Sequence, residues 1–277
     1  MHILVLSDLF PPQYNAGAEN MAYEISRGYI EEGHKVSVIT INKSLKKGAL
    51  VVNTSKSLIC YEIGFDYNTK LSAYIGMYNP VVIKVIKKIL INNNFDVAHI
   101  HNIHLYISYG VIGVLNKLSI PSILTIHDAM TIDYGKYDQG ISARDLSINA
   151  RVSYKANQFM IWRKNWKRLN PLKNYIIKYQ FKKLKKIVCV SKEIEKLLND
   201  NGIKNTQVIH NGIAEIKRSR KNSIENFRKK MAIQSGDKII LFAARISKAK
   251  GIGQAIELLR FVSKRIIILS FSLLEKK

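Results

Sequence analysis

A basic pair near the C-terminal end of the sequence has the right chemistry to bind a phosphate group. Arg245 and Lys250 lie five residues apart in FAARISKAKGIGQAIELL, where an apolar strand-like run gives way to a helical pattern. A planar guanidinium can hold two oxygens of a diphosphate, while an ammonium acts as a point charge. On spacing alone, a solvated pair is the commoner case, so the pair needs support from the rest of the chain.

His127 is a second candidate for chemistry, because it directly follows the apolar run SILTI and is itself followed by Asp128. A neutral histidine at such a position can hydrogen-bond a sugar hydroxyl. An imidazolium could instead stabilise the charge that develops as a glycosidic bond breaks. A lone histidine is more often structural, but the position at a strand end, followed by an acid, favours a functional role.

The elements that must position these residues follow an alternating pattern. An apolar strand over residues 2–6 precedes a loop and a helix predicted from about Ala18 to Glu32, which Gly33 ends. Further short apolar strands alternate with amphipathic helices along the chain: HKVSVITI, DVAHIH, PSILTIH, KIVCVS, TQVIHNG and KIILFAA. This pattern predicts an α/β fold with a parallel sheet covered on both faces, and ligands bind such sheets at the C-terminal strand ends.

The chain is strongly basic. Its 277 residues contain 44 Lys and Arg against 20 Asp and Glu, a formal net charge of +24, which predicts an anionic partner. Nucleic acid is the rival partner class, but the sequence has no helix-turn-helix, zinc finger or RNP-like strand, and we expect no nucleic acid. Cys60 and Cys189 lack metal-ligand spacing and are predicted to be reduced, buried thiols of a cytoplasmic protein.

Seven segments together resemble glycosyltransferase family 4, whose members have the GT-B architecture of two Rossmann-like domains. They occur in the family's order over residues 1 to about 259, and none is specific alone. The sequence has no Asp-x-Asp, which argues against the metal-dependent single-domain type of sugar transferase. The segments are FPPQYNAGAEN, EEGHKVSVIT, FDVAHIHN, TIHD, KIVCVSKEIEKLL, VIHNGI and ILFAARISKAKGIGQAIELL.

The resemblance implies transfer of a sugar from a nucleotide-sugar donor to a glycan or lipid-linked acceptor in cell-surface polysaccharide assembly. Anomeric configuration would be retained, with neither metal nor cofactor. It predicts an acceptor-side Rossmann-like domain over residues 1–210. Residues 211–277 would form a hinge and an incomplete nucleotide-sugar-binding domain.

The resemblance also assigns roles to individual residues. His127 would contact the donor sugar, and Arg245 and Lys250 would stabilise the leaving diphosphate. The remaining assignments follow the same motifs: Gly17 at a helix entry for donor phosphate, His101 and Asn102 for the acceptor cleft, and Asn211 and Gly212 for the interdomain hinge. The histidines of AHIHNIH have no Cys or acidic ligand nearby, so a metal site is not predicted.

The donor domain is expected to be truncated. The family carries a Glu-x7-Glu motif downstream of the helix IGQAIELL, whereas this chain offers only Glu257 and Glu275 after Gly251. A nucleotide-binding domain of this kind needs roughly 150 residues, far more than the chain has after Ala214. Activity of this chain alone is therefore doubtful, and the alternative is a non-catalytic fragment that acts as a membrane-surface or partner-binding module.

A basic stretch carries much of the excess charge. Residues 146–192 contain 13 Lys and Arg and no acid. Within it, a helix is predicted after Pro171, with Lys178, Lys182, Lys185 and Lys186 away from its apolar face. Such a helix suits an anionic membrane surface and a peripheral location on the inner face of the cell membrane. A lysine-rich solvated surface is an equally good interpretation.

Overall fold

The computed structural model describes residues 1–14, 17–55, 57–132, 153–156, 159, 163, 170–213, 221–234, 236–244, 250–259 and 266–271. The chain divides into two compact units, Met1–Ile213 and Ala214–Lys277. Arg245 and most of the basic stretch before residue 170 lie outside the described residues.

The first unit is built on an eight-stranded sheet. Its strand order is β3-β4-β2-β1-β5-β6-β7-β8, and every neighbouring pair is parallel except the β3–β4 hairpin. The strands are β1 (His2–Leu6), β2 (Lys35–Asn42), β3 (Leu50–Ser55), β4 (Leu58–Gly64), β5 (Val97–Ile100), β6 (Ser122–Ile126), β7 (Lys186–Cys189) and β8 (Thr206–Val208).

Helices cover both faces of this sheet, because alternate residues of the buried strands point to opposite sides. Leu4 and Leu6 of β1 belong to the larger core cluster, while Ile3 and Val5 pack with Ala22 of α1 in a second cluster. The helices described in this unit are α1 (Gly17–Glu31), α2 (Ser72–Ile75), α3 (Pro80–Ile91), α4 (Gly110–Lys117), α5 (Lys173–Phe181) and α6 (Lys192–Asp200).

Local sequence explains where several helices start. Helix α3 begins at Pro80, and the side chain of Asn79 accepts a hydrogen bond from the Val82 N–H at 3.2 Å. Helix α6 is capped in the same way by Ser191, whose Oγ accepts from the Ile194 N–H. Both caps satisfy N–H groups that have no partner within the helix.

The basic helix is shorter than the sequence predicts. Helix α5 ends at Phe181, and Lys182 is its C-cap. Lys185 therefore lies beyond the helix and Lys186 is the first residue of β7, paired with Ile123. The prediction that all four lysines share one helical face is wrong, because strand pairing decides the conformation of this segment.

The second unit contains two parallel strands and two helices among its described residues. Strand β9 (Lys238–Ala243) pairs with β10 (Ile266–Phe271), in register from Lys238 opposite Ile266. Helix α7 (Lys221–Lys230) precedes β9, and α8 (Ile252–Leu259) lies between the two strands. The strand and the helix predicted around residues 242–259 are present, and residues 245–249 between them lie outside the described residues.

Candidate functional site

The sheet reverses its winding direction between β1 and β5. Strands β2 and β4 lie beyond β1, whereas β6, β7 and β8 lie beyond β5. The C-terminal ends of β1 and β5 are therefore the edge where α/β sheets of this kind form a ligand-binding crevice. The hydrogen bonding between the β1 and β5 segments continues past the strand ends, where the Asp8 N–H donates to the Asn102 carbonyl at 2.7 Å.

Asp8, two residues after β1, is a buried acid at this edge. Its carboxylate accepts hydrogen bonds from the backbone N–H groups of Leu105 (2.7 Å), Tyr106 (2.9 Å) and Ile107 (2.7 Å). Burial raises the pKa of Asp8, while nearby His104 and the three N–H donors oppose that rise. Three converging N–H groups form an anion-binding nest, and here the protein's own carboxylate fills it.

His127 and His101 form a hydrogen-bonded pair at the ends of adjacent strands. Nδ1 of His101 lies 3.0 Å from Nε2 of His127, and the ring centroids are 5.3 Å apart with an interplanar angle of 19°. His101 is only 1% exposed, whereas His127 is half-buried. The pair therefore has one buried member and one that reaches the edge of the sheet.

Both histidines are held in the neutral form. Burial lowers the pKa of His127 to about 4, against a smaller raising effect of Asp128. Burial, together with His99 and His127, holds the pKa of His101 well below its ordinary value. At neutral pH, His127 can thus donate or accept a hydrogen bond, and this favours sugar binding over stabilisation of charge by an imidazolium.

His99 continues the histidine cluster inward, where its ring centroid lies 4.3 Å from that of His101. Nδ1 of His99 lies 2.8 Å from the Tyr29 hydroxyl, and its Nε2 lies 2.8 Å from Oγ1 of Thr125. Burial lowers the pKa of His99 to about 4. Since both of its nitrogens already have partners, His99 is a satisfied structural histidine.

Asp128 and Asn102 have defined local positions. Oδ1 of Asp128 accepts from the Met130 N–H at 2.9 Å and caps the short 3-10 helix Ala129–Thr131, which gives Asp128 a structural role. Asn102 is half-buried beside His101. Because His101 is buried, a supporting role is favoured over its predicted contact with an acceptor. Asn102 is partly exposed and could make the contact predicted for it.

Two polar residues at the same edge were missed by sequence reasoning. Lys43 directly follows β2, and its Nζ lies 5.2 Å from the ring centroid of Tyr14 and 5.1 Å from that of Tyr106. Glu62, near the end of β4, accepts hydrogen bonds from the side-chain amides of Gln13, Asn42 and Asn53. The rule that located His127, a polar residue at a strand end, also applies to Lys43.

The comparison with known protein families decides the identity of the chain. The sequence model of glycosyltransferase family 4 matches residues 15–215, which is more than half of the chain. The chain belongs to glycosyltransferase family 4. The predicted resemblance is therefore confirmed. Among curated proteins, none matches the sequence significantly.

Solved structures share the fold of this family 4 chain. An E. coli structure described as trehalose-6-phosphate bound with UDP-2-fluoro glucose has a TM-score of 0.58, 11% identity, and matches 98% of this chain and 64% of its own. The catalytic domain of Arabidopsis thaliana starch synthase IV, bound to ADP and acarbose, has a TM-score of 0.58, 14% identity and coverages of 99% and 69%. Anabaena HepE, in complex with UDP and glucose, has a TM-score of 0.54, 13% identity and coverages of 97% and 60%.

These comparisons establish the GT-B fold that the sequence predicts, with its mixed α/β architecture. Because the sequence identities are this low, the structural matches show the fold and nothing about function. The family 4 chain spans between 60 and 69% of the length of the three structures.

The residues predicted to hold the donor are only partly described. Gly17 is the first residue of α1 and is exposed, and a side chain there would meet no atom within 4 Å. Lys250 is exposed at the start of the segment that leads into α8. Arg245 lies outside the described residues.

The predicted hinge residues lie in irregular chain at the end of the first unit. Asn211 and Gly212 are both exposed, and neither has a positive φ. Their assignment to the interdomain hinge stays a prediction. The boundary between the compact units follows at residue 213.

A basic and aromatic cavity lies beside α5. Lys178, Lys182 and Lys204 line it with the exposed rings of Tyr175 and Tyr179, and its volume is about 540 Å³. Lys185 is exposed and Lys186 is half-buried, but neither lines this cavity.

The described part of the chain lacks two features. No group of three or more His, Cys, Asp or Glu side chains there could hold a metal ion. None of the helices described is both long and apolar enough to cross a membrane.

Proposed function

We propose that this family 4 chain takes part in retaining transfer of a sugar from a nucleotide-sugar to a glycan or lipid-linked acceptor, in cell-surface polysaccharide assembly. The observation that carries the proposal is the neutral, half-buried His127 at the ligand-binding edge of the sheet. Structures of the same fold bind UDP with glucose, or ADP, which supports a nucleotide-sugar as the donor.

In this proposal the donor sugar contacts His127, and the acceptor contacts Asn102. A neutral imidazole orients a hydroxyl group through a hydrogen bond without introducing charge. Gly17, Arg245 and Lys250 bind the diphosphate, and Asn211 and Gly212 act as the hinge between an acceptor-side domain over residues 1–210 and a donor-side segment over residues 211–277. Two cations on the leaving diphosphate would stabilise its developing charge.

A transfer assay with the purified chain tests this function. A radiolabelled UDP-, GDP- or ADP-sugar is incubated with membrane acceptors, and product formation is followed over hours because truncation of the donor domain is expected to impair transfer. His127→Ala should lower the rate about 10- to 100-fold, which corresponds to the loss of one buried hydrogen bond. His34→Ala, on a half-buried histidine outside this site, is the matched control and should leave the rate unchanged.

The outcomes separate the proposal from its alternative. Product with the donor's anomeric configuration, measured by NMR, would support retention. A His127→Ala protein with a normal rate would contradict the assigned role, and one that unfolds would return His127 to a structural role. Donor binding and transfer that are both absent in the wild-type chain would favour a non-catalytic binding module.

The cavity beside α5 supports a second candidate function, attachment to an anionic membrane surface from the cytoplasmic side. Lysines and exposed tyrosines are the side chains that favour the headgroup layer of a membrane, and each cation contributes about 1 kcal/mol near an anionic surface. The three lysines of the cavity, Lys178, Lys182 and Lys204, would therefore add up to an appreciable affinity, with Lys185 and Lys186 contributing less directly.

Vesicle sedimentation tests this attachment. Binding to vesicles with a third of phosphatidylglycerol should exceed binding to pure phosphatidylcholine and should weaken steeply with salt. Replacing Lys178, Lys182 and Lys204 with Gln should weaken binding. The control variant replaces three exposed lysines of α3 with Gln, namely Lys84, Lys87 and Lys88, and should change binding less. Equal binding to neutral vesicles, or equal loss in both triple variants, would contradict a membrane-binding site beside α5.

A further inference from the structure

His101 is the one buried histidine of the cluster with an unpartnered nitrogen among the described residues. Its Nδ1 faces Nε2 of His127 at 3.0 Å, but its Nε2 has no hydrogen-bond partner there. The backbone holds His101 firmly, since its N–H donates to the Leu6 carbonyl at 2.8 Å across the β1–β5 junction. His101 therefore offers a fixed ring to the more exposed His127.

The hydrogen bond between the two rings needs one donor and one acceptor, because both imidazoles are neutral. If His127 donated from Nε2, the proton of His101 would be on its own Nε2, leaving a buried N–H without a partner. If His101 donates from Nδ1, its Nε2 becomes a buried acceptor instead. Orphaned N–H groups are rare in folded proteins and orphaned acceptors less so, which favours donation by His101.

The surroundings of His101 are compatible with this direction. It lines a small space of about 10 Å³ together with Tyr109, Thr125 and Thr131, all of which carry hydroxyl groups. A space of that size accommodates about one water molecule. A hydroxyl or a water can donate a hydrogen bond to an unprotonated Nε2, so this tautomer can be satisfied within the fold.

We propose that His101 is a positioning residue that donates from Nδ1 to Nε2 of His127 and so holds His127 with its proton on Nδ1. His127 then presents an N–H donor, in a fixed ring orientation, to a ligand hydroxyl oxygen. The purpose of this arrangement rests on the proposed function, in which His127 contacts a sugar. The hydrogen bond itself can be tested without donor, acceptor or turnover, so its failure is distinguishable from failure of the proposed function.

NMR of the full chain, labelled with ¹⁵N at histidine, gives the test. The wild-type protein should show His127 protonated on Nδ1. It should also show an N–N coupling across the hydrogen bond, with the bonded proton attached to Nδ1 of His101. The spectrum of His127→Leu identifies the His127 signals by their loss. A His127 protonated on Nε2, or a coupling whose proton belongs to His127, would overturn the proposal.

Two variants separate positioning from general packing. His101→Asn keeps an amide N–H near the place of Nδ1 and should preserve the Nδ1–H form of His127. His101→Leu removes the donor and should shift His127, wholly or in part, to the Nε2–H form. An unchanged His127 tautomer in a folded His101→Leu protein would overturn the proposal. If that variant does not fold, the wild-type coupling and the His101→Asn spectrum still decide it.

Discussion

Replacing Asp8 would remove the acceptor of three backbone hydrogen bonds at the centre of the site. Both Tyr106 and Ile107 donate to Oδ1, whereas Leu105 donates to Oδ2. Asp8 is 3% exposed, so water cannot readily replace the carboxylate. Asp8→Ala leaves three N–H groups without a partner, and each such group costs about 1–3 kcal/mol.

The expected loss for Asp8→Ala is about 3–6 kcal/mol, since relief of the buried carboxylate offsets part of the cost. That is a large part of the 5–15 kcal/mol by which a typical domain is stable. In Asp8→Asn, an amide oxygen at the Oδ1 position keeps two of the three hydrogen bonds. The amide NH₂ then faces the Leu105 N–H, and these two donors cannot bond to each other. We therefore expect a smaller loss of about 1–3 kcal/mol, so the two variants should form a graded series.

Urea unfolding and hydrogen exchange measured by mass spectrometry provide the assay. Peptides that contain residues 105–107 should lose protection most in Asp8→Ala, less in Asp8→Asn, and little in the control Asp96→Ala. Asp96 accepts one hydrogen bond, from the His2 N–H, at an exposed position, so its loss should cost less than about 1 kcal/mol. Added formate, a small carboxylate, should restore part of the stability of Asp8→Ala and should leave the other variants unchanged. Equal losses for Asp8→Ala and Asp8→Asn, or unchanged exchange at 105–107, would refute the three-bond account.

Two further stability predictions use the same unfolding assay. Acidification from pH 6.5 to pH 4 should destabilise the first unit, because the unfolded chain protonates His99 near pH 6.5 while burial lowers its folded pKa to about 4. This difference in pKa corresponds to about 3 kcal/mol of unfolding free energy. If the unfolding free energy of His99→Gln falls with pH as steeply as that of the wild type, the prediction is wrong. Gly76→Ala should destabilise by about 2 kcal/mol or more, because a Cβ there would lie 2.1 Å from the His104 carbonyl oxygen, whereas Gly28→Ala within α1 has nothing within 4 Å and should stabilise by up to about 1 kcal/mol. An unchanged unfolding free energy in Gly76→Ala would show that the backbone around Gly76 and His104 has room for a Cβ.

Sequence patterns located the site because strand ends can be found from apolar runs. His127 and Asn102 were found in this way. The contact between His101 and His127 could not be predicted, because it depends on the register of β5 against β6, which pairs Ile100 with Leu124. Apolar periodicity shows where a strand lies but not how it is aligned with its neighbour.

The parts of the fold that sequence reasoning missed lie where long-range pairing overrides local pattern. Strand β3 is exposed along its whole length and gains its hydrogen bonds only from β4, so it shows no buried apolar run. The lysine-rich segment after Phe181 has good helix formers, yet Lys186 starts a strand that pairs with β6. The N–H groups on either side of it, of Lys185 and Ile187, donate to the carbonyls of Ser122 and Asn205. Local propensity is a weak guide where a sheet offers an alternative.

The arrangement at the carboxyl edge of the sheet also bears on what can bind there. In many α/β proteins, converging backbone N–H groups at this edge take up a phosphate. Here Asp8 occupies the nest formed by residues 105–107, so those donors cannot serve an anionic ligand. At the ends of β5 and β6 the side chains of His127 and Asn102 are uncharged at neutral pH, which suits the hydroxyl groups of a sugar, and Lys43 after β2 is a cation at the same edge. A nucleoside diphosphate carries more than one negative charge, so in the proposed function Arg245 and Lys250 supply cations in addition to any at this edge.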